Sequence, residues 1–149
     1  MPISSEHVGR SYPPSAPYLV PAGKIAEFAR ALGDDNPAYA STDGRTPIAP
    51  PTFAVLLAGW QAIFDDAELG LSLRRTMHTE QRFSQTRPLR AGDKVVATTR
   101  ISSVRNRGQV DMITVESALA SVSGEELGTV TASLFHTRES AAGEGEGDD

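Results

Sequence analysis

The residues best placed to do chemistry lie in the stretch Gly33-Asp34-Asp35-Asn36-Pro37-Ala38-Tyr39. It offers carboxylates, an amide and a phenol within one short loop. Read as structure alone, Asp, Asn and Pro are what turns use. Read as chemistry, it is an acid/base site in which Asp34 and Asn36 are present and Tyr39 is the residue in question. Proton abstraction from carbon needs a group that works near pH 7, as a neutral imidazole does. A phenol titrates near pKa ~10 against ~6.5 for imidazole, so generating phenolate at neutral pH costs roughly 4 kcal/mol. Other chemistries find less support. The three histidines, His7, His78 and His136, show no close metal-ligand spacing, so no metal site is expected. No serine sits in a Gly-x-Ser-x-Gly elbow. With no cysteine in the chain, disulfides, iron–sulfur clusters and thiolate zinc sites are excluded.

The elements that must position this loop can be read from pattern. Ala16 to Val20 reads as a short strand. Pro21 can then open a helix whose Ile25, Phe28, Ala29 and Leu32 share one face, with Gly33 as its stop. Residues 34–51 read as loop. Thr52 is expected to cap a second helix, Phe53 to Phe64, apolar nearly all round and therefore buried on several sides. Beyond it the pattern turns to strand. Met77 to Pro88, Lys94 to Arg105, Gln109 to Ser121 and Leu127 to Thr137 are joined by short polar links. Short links between long strands predict an antiparallel meander. Strands of 12 residues span roughly 40 Å and curl. The prediction is α+β: a curled antiparallel sheet wrapped around one long central helix.

Composition narrows the rest. The 149 residues are 39% hydrophobic and 22% charged, enough for one globular domain, expected over 1–138. The net charge is −5, and the last ten residues carry four acids and no base; 139–149 is expected to be a disordered acidic tail. No basic stripe interleaved with aromatics is present, so no nucleic acid is expected as a partner. No apolar run approaches the roughly 20 residues of a membrane span, and no secretory leader is visible, so a cytoplasmic location is expected.

Four motifs, "GDDNPAY", "PIAPPTF" leading into the second helix, "HTEQRF" (His78 to Phe83) and "RPLRAGD", resemble in order and spacing the MaoC-like or hydratase-2 branch of the hot-dog proteins. The resemblance covers roughly residues 8–138. It implies a hot-dog fold and (3R)-hydroxyacyl thioester dehydratase chemistry, with acyl-CoA or an acyl carrier protein thioester as substrate and no other cofactor. The family motif Asp-x-Asn-Pro-(aliphatic)-His maps onto Asp34, Asn36 and Pro37, but Tyr39 replaces the histidine. Catalytic members also carry His-Gly before the central helix, supplying a backbone N–H to the thioester oxygen. Here Pro50-Pro51 stands there, and proline has no N–H. An oxyanion donor of this kind is worth ~3 kcal/mol. "HTEQRF" resembles the "HGEQ" signature of the substrate-holding half of two-part hydratases, with Thr79 in place of glycine.

Together these departures resemble the non-catalytic subunit of the two-subunit (3R)-hydroxyacyl-ACP dehydratase of mycolic-acid-type elongation, a FAS1-like dehydratase N-terminal type of domain. The implied role is substrate binding beside a catalytic homologue, as a heterodimer or homodimer. Asp34, Asn36 and Tyr39 would form a vestigial site, and Pro51, Thr52, Phe53, His78 and Gln81 would line the substrate path. Dimer formation also has a physical motive, because a lone curled sheet leaves an edge strand exposed. Alternatives are a self-sufficient homodimeric hydratase using Asp34 with Tyr39 or His78, a hot-dog thioesterase, and a non-enzymatic interaction module. Arg74, Arg75, Arg82, Arg87 and Arg90 are either solvated surface or contacts for an acidic carrier or a phosphate. His7 and His136 have no visible partner in the sequence and read as structural.

Overall fold

A computed structural model describes residues 2–42 and 44–140. The expected acidic tail falls, beyond Ser140, outside the described residues. The strands are β1 (Tyr18–Leu19), β2 (Thr76–Gln85), β3 (Lys94–Arg107), β4 (Val110–Ser121) and β5 (Glu126–Thr137). They form one antiparallel sheet in the order β1-β3-β4-β5-β2. Helix α1 (Ala22–Leu32) and the helical pieces between residues 51 and 65 lie on its inner face.

β3, β4 and β5 form the predicted meander. Their inward residues alternate strictly, as in Val95, Ala97, Thr99 and Ile101 on β3, the period of a sheet with one buried face. Bulges after Ile101 and His78 reset the alternation. The expectation that β2 turns directly into β3 is not met. β2 pairs with β5 instead, from Thr76↔His136 to Gln85↔Gly128. The reason lies in the linking residues, which are tied to a distant loop rather than folded into a turn. Ala49 N–H donates to the Leu89 carbonyl at 2.7 Å and Ala91 N–H to the Pro47 carbonyl at 3.1 Å. Leu89 is buried, and the link therefore carries the chain across the inner face. Gly128 permits the close approach of β2. Its φ is +146°, and a Cβ there would meet the Ser84 carbonyl oxygen at 2.2 Å.

The far edge of β3 is covered by β1 and by residues 9–15, through Gly9 N–H to Ile101 O, Tyr12 N–H to Thr99 O and Ser15 N–H to Ala97 O. β2 has no strand on its outer side among the described residues.

The second correction concerns the central helix. Residues 53–64 do not form one continuous α-helix. A 3₁₀ segment runs over Pro51–Leu57, the chain becomes extended at Ala58 (φ −65°, ψ 129°), and a short α-helix, α2, resumes over Gln61–Asp65. Thr52 consequently lies inside the first piece rather than capping a helix. The break has a cause in the sheet beneath it. Thr99 and Ser117 are buried hydroxyl residues on the inner face, their oxygens 3.2 Å apart. Buried polar groups require partners. Gly59 N–H donates to Ser117 Oγ at 3.3 Å, which an N–H engaged in an unbroken helical ladder could not do. Gly59 also sits so close to Thr99 that a Cβ would lie 2.5 Å from its Oγ1.

The same hydroxyl pair lies between two apolar clusters. One gathers Val20, Ile25, Phe53, Leu57, Leu89 and Leu127. The other gathers Ile3, Ile63, Leu69, Ile101, Ile113 and Leu134. Each helical piece covers one of them.

Candidate functional site

The loop after α1 is built by local hydrogen bonds. Gly33 ends the helix in the left-handed region (φ 69°), and its N–H and that of Asp34 return to carbonyls of the last turn. Asp34 Oδ1 accepts from Asn36 N–H at 3.0 Å, and Asn36 Oδ1 accepts from Ala38 N–H at 3.0 Å. Asn36 thereby caps the 3₁₀ turn Pro37–Tyr39. The Tyr39 ring packs partly buried against the Phe53 cluster.

Asp34, Asn36 and Tyr39 line one pocket of about 370 Å³ whose other wall is the small-residue face of α1, Ala26 and Ala29. Its chemistry is sparse. Asp34 is exposed, and its one hydrogen bond comes from a backbone amide two residues on. Neither Asp34 nor Tyr39 is bonded to a second titratable side chain among the described residues. A base needs a neighbour that tunes or relays its proton, and none is bonded to either group among the described residues.

The substrate-path candidates separate into three places. Phe53 is fully buried, in edge-to-face contact with Phe28 at 5.4 Å between centroids. Pro51 and Thr52 are exposed at the start of the 3₁₀ segment. The Pro51 carbonyl accepts from Gln85 Nε2 at 3.0 Å, a link from this segment to β2 that sequence pattern did not reveal. His78 and Gln81 lie on the inner side of β2 and do not line the pocket of Asp34. The His78 ring stands edge-on to Trp60 at 4.8 Å, and its Nε2 lies 3.0 Å from the Glu80 carbonyl oxygen. Gln81 Nε2 donates to the Thr131 carbonyl at 2.9 Å, while its Oε1 and Trp60 Nε1 are buried without a partner among the described residues.

The strongest charge clusters are structural. In "RPLRAGD", Arg87 grips Asp93 through two hydrogen bonds, at 2.9 and 3.0 Å, and also pairs with Glu125. Arg87 is therefore committed to the fold rather than free for a carrier. Burial pushes the Asp93 carboxyl up, but Arg87 and the Arg90 amide outweigh it and hold it below the usual range. His136, which shows no partner in the sequence, has two in the structure. Its Nε2 accepts from Ser72 N–H at 3.1 Å, and Nδ1 faces Asp111 Oδ2 at 3.4 Å. Asp111 is fully buried and also receives Arg138 and Asn106. Burial raises its carboxyl, and the bonds from Arg138, Asn106 and His136 more than reverse this. His7 closes a local cap, accepting from Ser4 N–H at 3.0 Å. Among the described residues no cluster of three or more metal-ligating side chains occurs, and no helix is long and apolar enough to cross a membrane.

A family model for the FAS1-like dehydratase domain region matches residues 6–130. A UPF0336 protein of Cutibacterium acnes is 53% identical over 140 residues, covering 93% of this chain and 96% of the relative. A second, from Streptomyces coelicolor, is 37% identical over 142 residues, covering 90% and 95%. Among solved structures, a MaoC-like dehydratase superposes with a TM-score of 0.77 at 28% identity. That match covers 89% of this chain but 42% of the other. A chain of the C-terminally truncated HadBC (3R-hydroxyacyl-ACP dehydratase) complex of Mycobacterium tuberculosis superposes with a TM-score of 0.73 at 26% identity, covering 89% and 99%. The curled five-stranded sheet with its helical layer is the hot-dog fold of these neighbours.

Proposed function

This chain belongs to the FAS1-like dehydratase-region family of MaoC-like hot-dog proteins, and from that premise we propose that it is the acyl-thioester-binding subunit of a (3R)-hydroxyacyl dehydratase. It holds an acyl-CoA or acyl carrier protein thioester in the cytoplasm and works beside a catalytic homologue that carries the missing histidine.

One observation carries this reading. The pocket that gathers Asp34, Asn36 and Tyr39 contains a carboxylate that, among the described residues, is engaged only by a local amide, and a phenol with no proton partner there. Dehydration must take a proton from carbon and deliver one to the departing hydroxyl, and no imidazole lines this pocket to share that work. Pro50 and Pro51, at the head of the 3₁₀ segment, add no N–H for the thioester oxygen. Similarity to a chain of a dehydratase complex supports a partner subunit. So does β2, which has no strand on its outer side among the described residues. His78, Gln81, Pro51 and Thr52 stand beside that edge and are the proposed contacts to the thioester or to the partner. The active-homodimer alternative needs Asp34 to work with Tyr39 or His78, and neither is bonded to Asp34 among the described residues.

The test uses the purified chain alone, then mixed with a homologue carrying the intact Asp-x-Asn-Pro-x-His motif. Enoyl absorbance is followed with crotonyl-CoA and longer enoyl thioesters, and binding is followed by calorimetry. Binding without turnover, converted to turnover by the homologue, is expected. Rapid hydration by the chain alone, abolished by Asp34→Ala, would overturn the proposal.

A further inference from the structure

The outer face of the sheet carries a pattern that the thioester reading leaves unused. Cross-strand pairing lines up Met77, Phe135, Met112 and Arg105 in one row, through Met77↔Phe135, Met112↔Phe135 and Arg105↔Met112. The next row is Glu80, Ser133, Thr114 and Ser103, and the one beyond it Arg82, Thr131, Glu116 and Arg100. Residues in a row project from the same face. Met77 is 67% and Phe135 41% exposed. Beside them is a groove of about 500 Å³ floored by Met112, Thr114, Thr131 and Ser133 and bordered by Arg82 and Arg105. Thr114, Thr131 and Ser133 on the middle strands are short, and Arg82 and Arg105 on the flanking strands rise beside them to make the trough.

The charge on this face runs against that of the chain. The whole chain is −5, yet here Arg82, Arg100, Arg105 and Arg107 face two glutamates, Glu80 and Glu116. The glutamates pair with Arg82 and Arg100. Arg105 and Arg107, both exposed on β3, have no acidic partner among the described residues. The trough lies between β2 and β3, three strand spacings or about 14 Å apart. An α-helix with its side chains is about 10–12 Å across.

From this fit of width, the apolar row Met77–Phe135–Met112 at one end and the surplus cation, we propose that the outer sheet face docks one acidic amphipathic α-helix of a partner protein. Its apolar stripe lies on Met77, Phe135 and Met112, and its carboxylates meet Arg105 and Arg107. The surface is on the opposite side of the sheet from the Asp34 pocket, so it stands or falls independently of the thioester reading.

The probe is a fluorescein-labelled 18-residue helical peptide with a Leu/Met stripe flanked by glutamates, titrated against the full chain by anisotropy. A control peptide has lysine for every glutamate. The glutamate peptide is expected to bind saturably and at least tenfold tighter than the lysine peptide. The R105E/R107E variant is expected to lose at least tenfold for the glutamate peptide and to gain affinity for the lysine peptide, a swap that a misfolded variant cannot produce. Arg45→Glu, off the sheet, is expected to change neither. Equal binding of both peptides, no saturation, or indifference to R105E/R107E overturns the proposal. So does a self-association in sedimentation that Phe135→Ser abolishes, which assigns the face to a second copy. Peptide binding seen only in a chain ending at Ser140 also overturns it, and assigns the face to the chain's own acidic end.

Discussion

Replacing Gly59 by alanine tests whether the hydroxyl pair of the sheet causes the break in the helical layer. The new Cβ would lie 2.5 Å from Thr99 Oγ1 and 3.7 Å from Thr99 Cβ. Thr99 cannot swing aside cheaply, since it is β-branched, 2% exposed and close enough to Ser117 to share a hydrogen bond. Overpacking of this kind costs about 1–3 kcal/mol. If the chain lifts to relieve it, the Gly59 N–H bond to Ser117 is also lost, adding about 1 kcal/mol. The expected cost of Gly59→Ala is thus about 2–4 kcal/mol. In a Thr99→Ala background the colliding oxygen is gone and the nearest remaining atom is the 3.7 Å Cβ, an ordinary contact. There the same substitution should cost below about 1 kcal/mol. The assay is urea unfolding of the four proteins of this cycle, followed by the fluorescence of Trp60. With a slope of about 2 kcal/mol/M, the single variant shifts its midpoint by about 1–2 M. Distant sites add to within about 0.5 kcal/mol. Additive costs for Gly59→Ala and Thr99→Ala would refute the steric account, and the break would then need another cause.

Asp111→Asn should destabilise the chain by about 3 kcal/mol, because it leaves Arg138 and His136 facing a neutral amide. The folded carboxyl of Asp111 lies below its ordinary value, so its contribution is full above about pH 4 and falls away as acid takes the pH through the folded value. The stability–pH curve of the variant should accordingly be flatter below about pH 4 by chemical unfolding. Arg87→Ala should cost about 1–3 kcal/mol in the same assay, since the partly buried Asp93 and the exposed Glu125 both end on that guanidinium. Gly128→Ala places a methyl group 2.2 Å from the Ser84 carbonyl. It should cost more than about 3 kcal/mol and loosen β2 first, seen as faster amide exchange over residues 76–85. Tyr39→His in the isolated chain should leave enoyl hydration at background, because Pro50 and Pro51 still offer no N–H. A gain above about tenfold would locate the whole defect at residue 39.

What the sequence revealed follows the range of the interactions involved. Helix α1, its glycine stop and the three strands of the meander are set by local pattern: a 3.6-residue apolar face, alternating burial and tight polar turns. Asp34, Asn36 and Tyr39 share a pocket because they share a turn, so their association was also legible. The placement of β2 was not. A link of eight residues between two strands reads as a reversal, and only the bonds from Ala49 and Ala91 to distant carbonyl partners send it across the sheet. The broken central helix was hidden for the same reason. The run from Phe53 to Phe64 is apolar on all sides, and the groups that interrupt it, Thr99 and Ser117, lie 40 and more residues away in sequence. Gly59 inside that run was the one available signal, since a helix-interior glycine carries a cost that needs a reason. His136 illustrates the limit from the other side, for its partners Ser72 and Asp111 come from two separate elements.

The strand order has a consequence for how the molecule is made. Among the described residues β2 pairs only with β5, whose residues follow it by roughly fifty positions, so a nascent chain emits β2 well before that neighbour exists. Closing so long a loop is slow beside zipping the adjacent hairpins, and β3, β4 and β5 should assemble first as a platform. The last strand to dock is then also the one with an unoccupied flank. Newly synthesised chains would be most exposed to mispairing in the interval before that docking, and a companion subunit arriving early would shorten it.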